Sequence, residues 1–411
     1  MHIKRETYLK KIRPFMGTDL VKVLTGIRRC GKSVMLELLR DELLEKGVPG
    51  ERMISINFDD PQNYPLRDGA RFHAYIASRV AQLGGERRSG EKVYLFFDEI
   101  QEVSAWETCV NGLRFLPDVD IYLTGSNANL LSGELATYLT GRYVRFEIHP
   151  FSFAEFSEMH RLLKGEKQIA EVFNDYIVFG GMPFLLNLGL RYAPSMQYLK
   201  DIYQSIVFKD ILLRNNIRDV DLLRRIIAYI IENIGKTFSA SAISKYIKSE
   251  NRTVSTDTVL NHVRACEDAF LFQRLQRNDL QGKKLLTVNE KYYVVDHGLR
   301  EAVCENNVKE IGIVFENMVY MELVRRGYSL TVGKVGDLEI NFVAQRQNEL
   351  AYIQVSYYCG ARETMDCELA SLGKIISNYP KYIISLDDFD LSQNGIKHLN
   401  IRDFLLGKEL A

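Results

Sequence analysis

The chain has 411 residues, more than one hydrophobic core usually organises, so we expect two to four domains. Lysine plus arginine equal aspartate plus glutamate at 53 each, so the overall charge excludes a uniformly basic or acidic binding protein. Any basic surface for nucleic acid would have to be local.

The cysteines and the apolar runs exclude further classes. The six cysteines are scattered and form no CxxC pair, so we expect no zinc site. No stretch reaches the roughly 18 apolar residues of a membrane-spanning helix, and the N-terminal sequence MHIKRETYLKK lacks the apolar run of a signal peptide. We therefore expect a cytoplasmic protein with reduced thiols and no membrane partner.

The first predicted strand leads into a phosphate-binding loop. Apolar residues at Val21–Leu24 predict a buried strand, and an amphipathic pattern from Val34 predicts a helix. Between them, the sequence matches G-x-x-x-x-G-K-[ST] at every defined position. The residues of this loop are Gly26, Ile27, Arg28, Arg29, Cys30, Gly31, Lys32 and Ser33.

The chemistry of this loop points to a nucleotide triphosphate. Gly26 and Gly31 let the backbone wrap closely around phosphates, and the loop amides and the helix N-terminus supply positive potential. Lys32 should reach the β- and γ-phosphates, and Ser33 should ligate Mg²⁺. The alternative is a chance glycine-rich turn, which the strand and helix on either side disfavour.

A second strand, Val93–Asp98, supplies acids. Its apolar residues on both faces suit a central parallel strand. Asp98 would hold Mg²⁺ through water, and Glu99 is placed to orient or deprotonate an attacking water. A plain acidic turn at a strand end is the alternative. The two adjacent acids favour transfer of a phosphoryl group to water over its transfer to a bulky acceptor.

A third strand and a later arginine add weaker signals. Thr124, the last residue of the strand that begins at Asp120, and Ser126 and Asn127 just after it could sense the γ-phosphate, although a strand-to-helix cap explains them equally well. Arg142 could act as an arginine finger, in cis or from a neighbouring subunit, or it is a surface arginine. No N-K-x-D element for guanine is found, so adenine is the favoured base.

The sequence resembles the bacterial and archaeal AAA-type P-loop ATPases that carry an uncharacterised C-terminal region. The resemblance covers nearly the whole chain and implies ATP and Mg²⁺ as ligands. It also implies a fold class: an α/β P-loop core with a parallel sheet, then a helical lid-like segment, a winged helix and an α/β restriction-endonuclease-like domain. The phrases that carry it are GIRRCGKS from Gly26, FDEIQEV from Phe97, LTGSNA from Leu123, HPFSFAEF from His149, YIVFGGMPF from Tyr176, VFKDILLRNNIRDV from Val207 and YYVVDHGLR from Tyr292.

Four domains follow from this reading. We expect the ATPase core at 1–155, a helical lid or connector at 156–215, a winged helix at 216–295 and the endonuclease-like domain at 296–411. The Gly180–Gly181 pair within the connector is either a hinge or a helix–helix turn, and the turn is favoured.

The predicted winged helix has a candidate recognition helix from about Thr256. Its candidate DNA contacts are Asn261, His262 and Arg264, with Arg252 just ahead. Acidic residues on the same helix make it a weakly basic element, and winged helices also bind proteins. The partner is therefore left open between DNA and protein.

The predicted endonuclease-like domain lacks the residues for its chemistry. Active members of that fold need an acid on one strand and an acid-x-lysine on the next, which bind Mg²⁺ and position water. Asn341 replaces the first acid, and Gln354 and Ser356 replace the second acid and the lysine. Asp337 and Glu339 lie nearby, and Glu339 shares the face of Asn341, so weak metal binding stays open. We expect a nuclease-like fold without nuclease activity.

These patterns favour a Mg²⁺-dependent ATPase that uses ATP to move a C-terminal module for DNA or protein. The alternatives are an ATP-dependent DNA-processing nuclease and a nucleotide-gated scaffold with little turnover. An oligomer would be needed if Arg142 acts in trans.

Overall fold

The structure is a computed structural model, and its backbone forms two compact units. The first unit comprises Met1–His149 with Asp268–Phe270, and the second comprises Pro150–Glu267 with Leu271–Ala411. The structure describes residues 2–84, 91–128, 139, 141–249, 254–279, 284–360 and 369–410.

The first unit is an α/β sandwich around a five-stranded sheet with the order β2-β3-β4-β1-β5. Every neighbouring pair in this sheet is parallel. The helices and strands are α1 Glu6–Ile12, β1 Val21–Thr25, α2 Lys32–Glu45, β2 Met53–Asn57, α3 Gly69–Gly84, β3 Val93–Asp98, α4 Trp106–Leu113, β4 Val119–Gly125 and β5 Tyr143–Glu147.

The strands of this unit are apolar because helices cover both faces of the sheet. All residues of β1 and β4 are buried, and the ring of Phe97 on β3 packs edge-on against Phe72 of α3. A parallel sheet covered on both sides requires such uninterrupted apolar runs. The parallel sheet and the strands predicted at Val21, Val93 and Asp120 are confirmed.

Strand direction brings the predicted site residues to one edge of the sheet. In the parallel register, Thr25 of β1 lies beside Gly125 of β4, and Asn57 of β2 lies beside Asp98 of β3. The loops that follow these strands therefore leave from the same edge, where ligands bind in open α/β sheets.

The second unit combines helices with a seven-stranded sheet of order β12-β11-β10-β9-β8-β6-β7. A π-helical segment, Ile206–Leu213, follows directly on α7. The helices are α5 Phe153–Lys164, α6 Ile169–Phe179, α7 Tyr192–Ser205, α8 Val220–Glu232, α9 Ala240–Ser249, α10 Thr256–Asp268, α11 His297–Cys304, α12 Ile311–Arg325 and α13 Ile401–Leu405. The strands are β6 Phe272–Asp279, β7 Lys284–Val294, β8 Ser329–Val335, β9 Leu338–Arg346, β10 Glu349–Val355, β11 Lys381–Ser385 and β12 Ile396–Asn400.

One predicted domain boundary falls inside a helix, and another divides a continuous sheet. The 155/156 boundary lies within α5, which begins at a Ser152 capping box. The predicted wing, the antiparallel hairpin of β6 and β7, shares one sheet with β8, because β6 pairs in parallel with β8. The 295/296 boundary thus separates strands that share backbone hydrogen bonds. The winged-helix and endonuclease-like assignments stay predictions.

The Gly180–Gly181 pair is explained by close packing. Gly180 has φ +70°, and a Cβ there would lie 2.3 Å from Asp296 Oδ1. A Cβ on Gly181 would lie 2.2 Å from the carbonyl oxygen of Phe151, and the Gly181 amide donates to Asp296 Oδ2 at 2.7 Å. Only glycine fits at both positions, so the pair fixes α6 against its neighbours and gives no support to a hinge.

Candidate active site

The loop between β1 and α2 has the backbone of a phosphate cradle. Gly26 has φ +145° and Gly31 has φ +100°, conformations that side chains rarely allow. A Cβ on Gly26 would lie 2.1 Å from the carbonyl oxygen of Ile148, so only glycine fits at this position of the loop. Gly31 is the N-cap of α2, which begins at Lys32, so the helix N-terminus opens directly from the loop.

Lys32 is folded back on this loop. Its Nζ donates to the carbonyl oxygens of Gly26 at 3.1 Å and Ile27 at 3.2 Å, and it lies 3.8 Å from Glu99 Oε1. The side chain is 3% exposed. Among the described residues, the partners of this buried ammonium are two carbonyl oxygens and one long ion pair, which phosphate oxygens could replace.

Asp98 lies at the centre of a hydroxyl network. Thr124 Oγ1 donates to Asp98 Oδ1 at 2.5 Å and accepts the Glu99 amide at 2.8 Å. Burial raises the pKa of Asp98, while hydrogen bonds from Thr124 and Ser33 oppose that rise. Thr124 therefore ties together the end of β4 and both acids of β3.

This donor set fits a magnesium ion. Mg²⁺ prefers oxygen ligands, and the Ser33 hydroxyl and the Asp98 carboxylate already contact each other. A buried carboxylate whose pKa is raised by desolvation is stabilised when a cation joins it. Among the residues that the structure describes, no group of three or more histidine, cysteine, aspartate or glutamate side chains could hold a metal ion.

Glu99 sits on a strained turn directly after β3. Its φ of 56° is left-handed, a conformation that costs about 1–3 kcal/mol for a non-glycine residue and is concentrated at functional sites. Gln101 Nε2 donates to Glu99 Oε2 at 2.5 Å. The carboxylate is thus directed towards Lys32 instead of into solvent.

The remaining loop and strand-end residues occupy the same edge. Ser126 and Asn127 are buried after β4. Ile27 and Cys30 are fully buried. Burial also raises the pKa of the Cys30 thiol, so this side chain packs in the core and is a poor nucleophile. Arg28 is half-buried and Arg29, at φ 67°, is exposed. The predicted roles of these residues stay predictions.

Arg142 does not lie at this site. It precedes β5, and its carbonyl oxygen accepts the amide of Val21, the first residue of β1. Burial lowers the pKa of Arg114, and the nearby positive charge of Arg142 adds to this effect. The phosphate loop leaves the opposite end of β1, about 13 Å away at 3.3 Å per residue. A parallel pair places strand starts together, away from strand ends, so this position gives no support to an arginine finger in cis, and the role of Arg142 stays a prediction.

Comparisons with known proteins agree with this geometry. Residues 18–157 match a family described as an AAA domain, and residues 170–310 match a domain of unknown function. An uncharacterized protein of Haemophilus influenzae is 35% identical over 405 residues, covering 98% of each chain. The chain belongs to the AAA-type P-loop ATPase family.

More distant relatives extend this picture. An uncharacterized protein of the archaeon Methanocaldococcus jannaschii is 27% identical over 399 residues, covering 93% of this chain and 85% of its own. A Walker-type ATPase of Pyrococcus abyssi superposes with a TM-score of 0.50 at 16% identity, over 74% of this chain and 96% of that one. At this identity the superposition shows a shared fold only.

Arg5 supports the phosphate loop and was not predicted from the sequence. Its guanidinium is buried and donates to the carbonyl oxygens of Cys30 at 3.1 Å and His149 at 2.8 Å. It also lies over the ring of Tyr8, whose hydroxyl accepts the His149 amide. A single arginine in a polar N-terminal segment carries no sequence signal for such a role.

In the second unit, only part of the predicted DNA-contact set is accessible. Asn261 and Arg264 are exposed on α10, but His262 is buried and its Nδ1 lies 2.7 Å from the carbonyl oxygen of Thr258. A contact from His262 to DNA is therefore wrong, since its position on the helix faces the core. Arg252 lies outside the described residues.

The polar residues of the predicted nuclease-like edge are bonded to one another. Asn341 Oδ1 accepts the Val355 amide at 2.9 Å, and Gln354 Oε1 accepts the Asn341 amide at 3.2 Å. Glu339 pairs with Arg277 at 3.1 Å and with Lys291 at 2.5 Å.

The described part of the chain contains no helix long and apolar enough to cross a membrane.

Proposed function

We propose that this AAA-type protein binds ATP with Mg²⁺ and hydrolyses it. The observation that carries the proposal is the convergence of Lys32, Ser33, Asp98 and Glu99 at one sheet edge, with Thr124 linking the two acids. A structural polar cluster would not need a left-handed acid next to a lysine that is bonded to loop carbonyls.

Each residue has a defined task in this proposal. Lys32 leaves the carbonyl oxygens of Gly26 and Ile27 and binds the β- and γ-phosphates. Ser33 and Asp98 would hold Mg²⁺, which screens the charge on the phosphates. Glu99 accepts the proton of the attacking water.

The second unit is proposed to be the module that responds to the nucleotide. Its accessible polar residues Asn261 and Arg264 offer a surface for DNA or for a protein. A nucleotide-gated scaffold with little turnover is the alternative. A nuclease is disfavoured because Lys291 and Arg277 already hold Glu339.

The test measures phosphate release from wild type, Lys32→Ala and Glu99→Gln with ATP and with GTP, with and without DNA. We expect both variants to lose at least about 100-fold in turnover, since each removes a group that acts on the transition state. Glu99→Gln should still bind ATP, because its change lies at the attacking water. ATP should be preferred over GTP.

Two exposed positions give matched controls. Lys10→Ala and Glu51→Gln repeat the same chemical changes on the surface of the same unit and should leave turnover unchanged. Equal phosphate release from wild type and Lys32→Ala would refute the ATPase. A rise in turnover with DNA that disappears in Arg264→Ala would identify DNA as the partner; a DNA-independent rate would favour a protein.

A further inference from the structure

Gln101 holds one oxygen of Glu99. Its Nε2 lies 2.5 Å from Glu99 Oε2, in the short 3₁₀ turn Ile100–Glu102 that follows Glu99. Only the amide nitrogen can face a carboxylate, because two oxygens without a proton between them repel. The orientation of the Gln101 amide is therefore fixed by its partner.

The other end of this amide is an acceptor without a donor. Gln101 Oε1 is buried and has no hydrogen-bond partner among the described residues. Buried acceptors in proteins are nearly always satisfied by a protein group, a ligand or water, so the position of this oxygen beside Glu99 points to a donor that binds there. A water molecule beside Glu99 would be such a donor.

The two oxygens of Glu99 have different surroundings. Oε2 is bonded to Gln101, and Oε1 faces Lys32 Nζ at 3.8 Å. The backbone of Glu99 is fixed as well, because its amide donates to Thr124 Oγ1. When Lys32 turns to phosphate, Oε1 loses its lysine contact while Oε2 keeps its amide donor.

We propose that Gln101 is the positioning residue for Glu99, and this proposal rests on the proposed ATPase function. Gln101 fixes Oε2 so that Oε1 is presented to the attacking water, and the Gln101 amide oxygen accepts the second O–H of that water. One O–H bond of the water breaks and its proton goes to Glu99 Oε1. The water oxygen bonds to the γ-phosphorus as the bond from that phosphorus to the bridging oxygen breaks, which leaves ADP and inorganic phosphate.

The first test is Gln101→Met, which keeps the length of the side chain and removes both polar atoms. We expect kcat to fall about 10- to 100-fold with the Kd for ATP changed less than about twofold, as for a group that acts only in the transition state. Gln62→Met makes the same change at an exposed position of the same unit and should have no effect. In a Glu99→Gln background, Gln101→Met should add no further loss.

Three kinetic results would overturn the proposal. One is an unchanged kcat in Gln101→Met. Another is a rise in the Kd for ATP that accounts for the whole loss of kcat/KM, since that would place Gln101 in nucleotide binding. The third is a further loss in the Glu99→Gln background that equals the loss in wild type, because Gln101 would then act independently of Glu99.

A second measurement separates this proposal from the ATPase proposal. In wild type, the ¹⁵N-edited signal of the Gln101 side-chain amide, assigned through its absence in Gln101→Met, should be protected from exchange. The protection should be lost in Glu99→Ala. If the exchange protection of the Gln101 amide is the same in Glu99→Ala as in wild type, the positioning role is overturned even if the enzyme is active. A protected signal in a wild-type protein without turnover overturns the ATPase proposal, and with it the catalytic use of this contact.

Discussion

Buried lysines have different partners at the strand ends of the first unit and in the polar network around Glu339 in the second unit. In the first unit, Lys32 contacts loop carbonyls and stands 3.8 Å from Glu99. In the second unit, Lys291 lies 2.5 Å from Glu339 and 3.3 Å from Glu316. One lysine has weak partners that a ligand can replace, and the other has two carboxylates.

Electrostatics shows the same contrast. Burial alone would lower the pKa of Lys291, but Glu316 and Glu339 outweigh burial and raise it above its usual value. The ammonium thus stays charged and neutralises the carboxylates that a divalent cation would need. Asp98 has the opposite character, because burial raises its pKa and leaves it short of positive charge. Both units contain buried charged side chains. A candidate site differs from a structural network in whether those side chains already have partners of opposite charge.

The largest expected effect comes from removing each lysine in turn. Lys291→Met should lower the free energy of unfolding by about 1.5–3 kcal/mol, because it removes a buried ammonium that pairs with the half-buried carboxylates of Glu316 and Glu339. Lys32→Met should change it by about 1 kcal/mol or less, since active-site groups seldom stabilise the fold. Urea unfolding followed by circular dichroism measures both.

Turnover should respond in the reverse order. Lys32→Met should abolish ATP turnover, whereas Lys291→Met, assayed well below its unfolding temperature, should keep the wild-type rate. Lys10→Met at an exposed position should change neither quantity. If Lys32→Met destabilised the protein as much as Lys291→Met, the contrast between the two edges would fail.

A pH titration sharpens how the second unit uses buried charge. Burial raises the pKa of Asp296 to about 6 and lowers that of its neighbour His297 to about 4. The stability from Asp296 is present at low pH and is lost as pH rises from about 4 to 6, where only the unfolded state has released the proton. The stability from His297 is present above about 6.5 and is lost as pH falls towards 4. The two trends oppose each other, so the summed contribution of Asp296 and His297 should change little between pH 4 and 6.

His297→Gln should expose the Asp296 trend. We expect the free energy of unfolding of this variant to fall by about 3 kcal/mol between pH 4 and 6, at about 1.4 kcal/mol per pKa unit. His2→Gln, at an exposed position, should follow wild type. Urea midpoints at steps of half a pH unit measure this, and a flat profile for His297→Gln would contradict the assignment.

The sequence analysis succeeded where the signal is local. The phosphate loop lies between its own strand and helix, so contiguous residues predicted the backbone that Gly26 and Gly31 adopt. Asp98 and Glu99 were found because a strand end fixes their place at the sheet edge. Apolar patterning likewise predicted the strands of the parallel sheet.

It failed where a role depends on residues distant in the chain. Arg5 reaches Cys30 and His149, and Lys291 reaches Glu316 and Glu339, through contacts that no local pattern encodes. The place of Arg142 beside the start of β1 likewise depends on a strand pairing between residues distant in the chain. The requirement for glycine at Gly180 and Gly181 also comes from Asp296 and Phe151, which are distant in the chain.

The smallest expected effect is at the nuclease-like edge, where we expect none. Wild type should not cleave supercoiled plasmid DNA with Mg²⁺ or Mn²⁺, and Glu339→Ala should leave that result unchanged. Glu339 is held by Arg277 and Lys291, and Asn341 and Gln354 are bonded to backbone amides and to the strand beside them, so the edge offers no free acid pair for a metal. Gel electrophoresis of the plasmid with and without EDTA is the measurement. EDTA-sensitive cleavage that is lost in Glu339→Ala but kept in Glu349→Ala, an exposed acid on the neighbouring strand, would show that this edge is a working metal site and would remove the contrast between the two units.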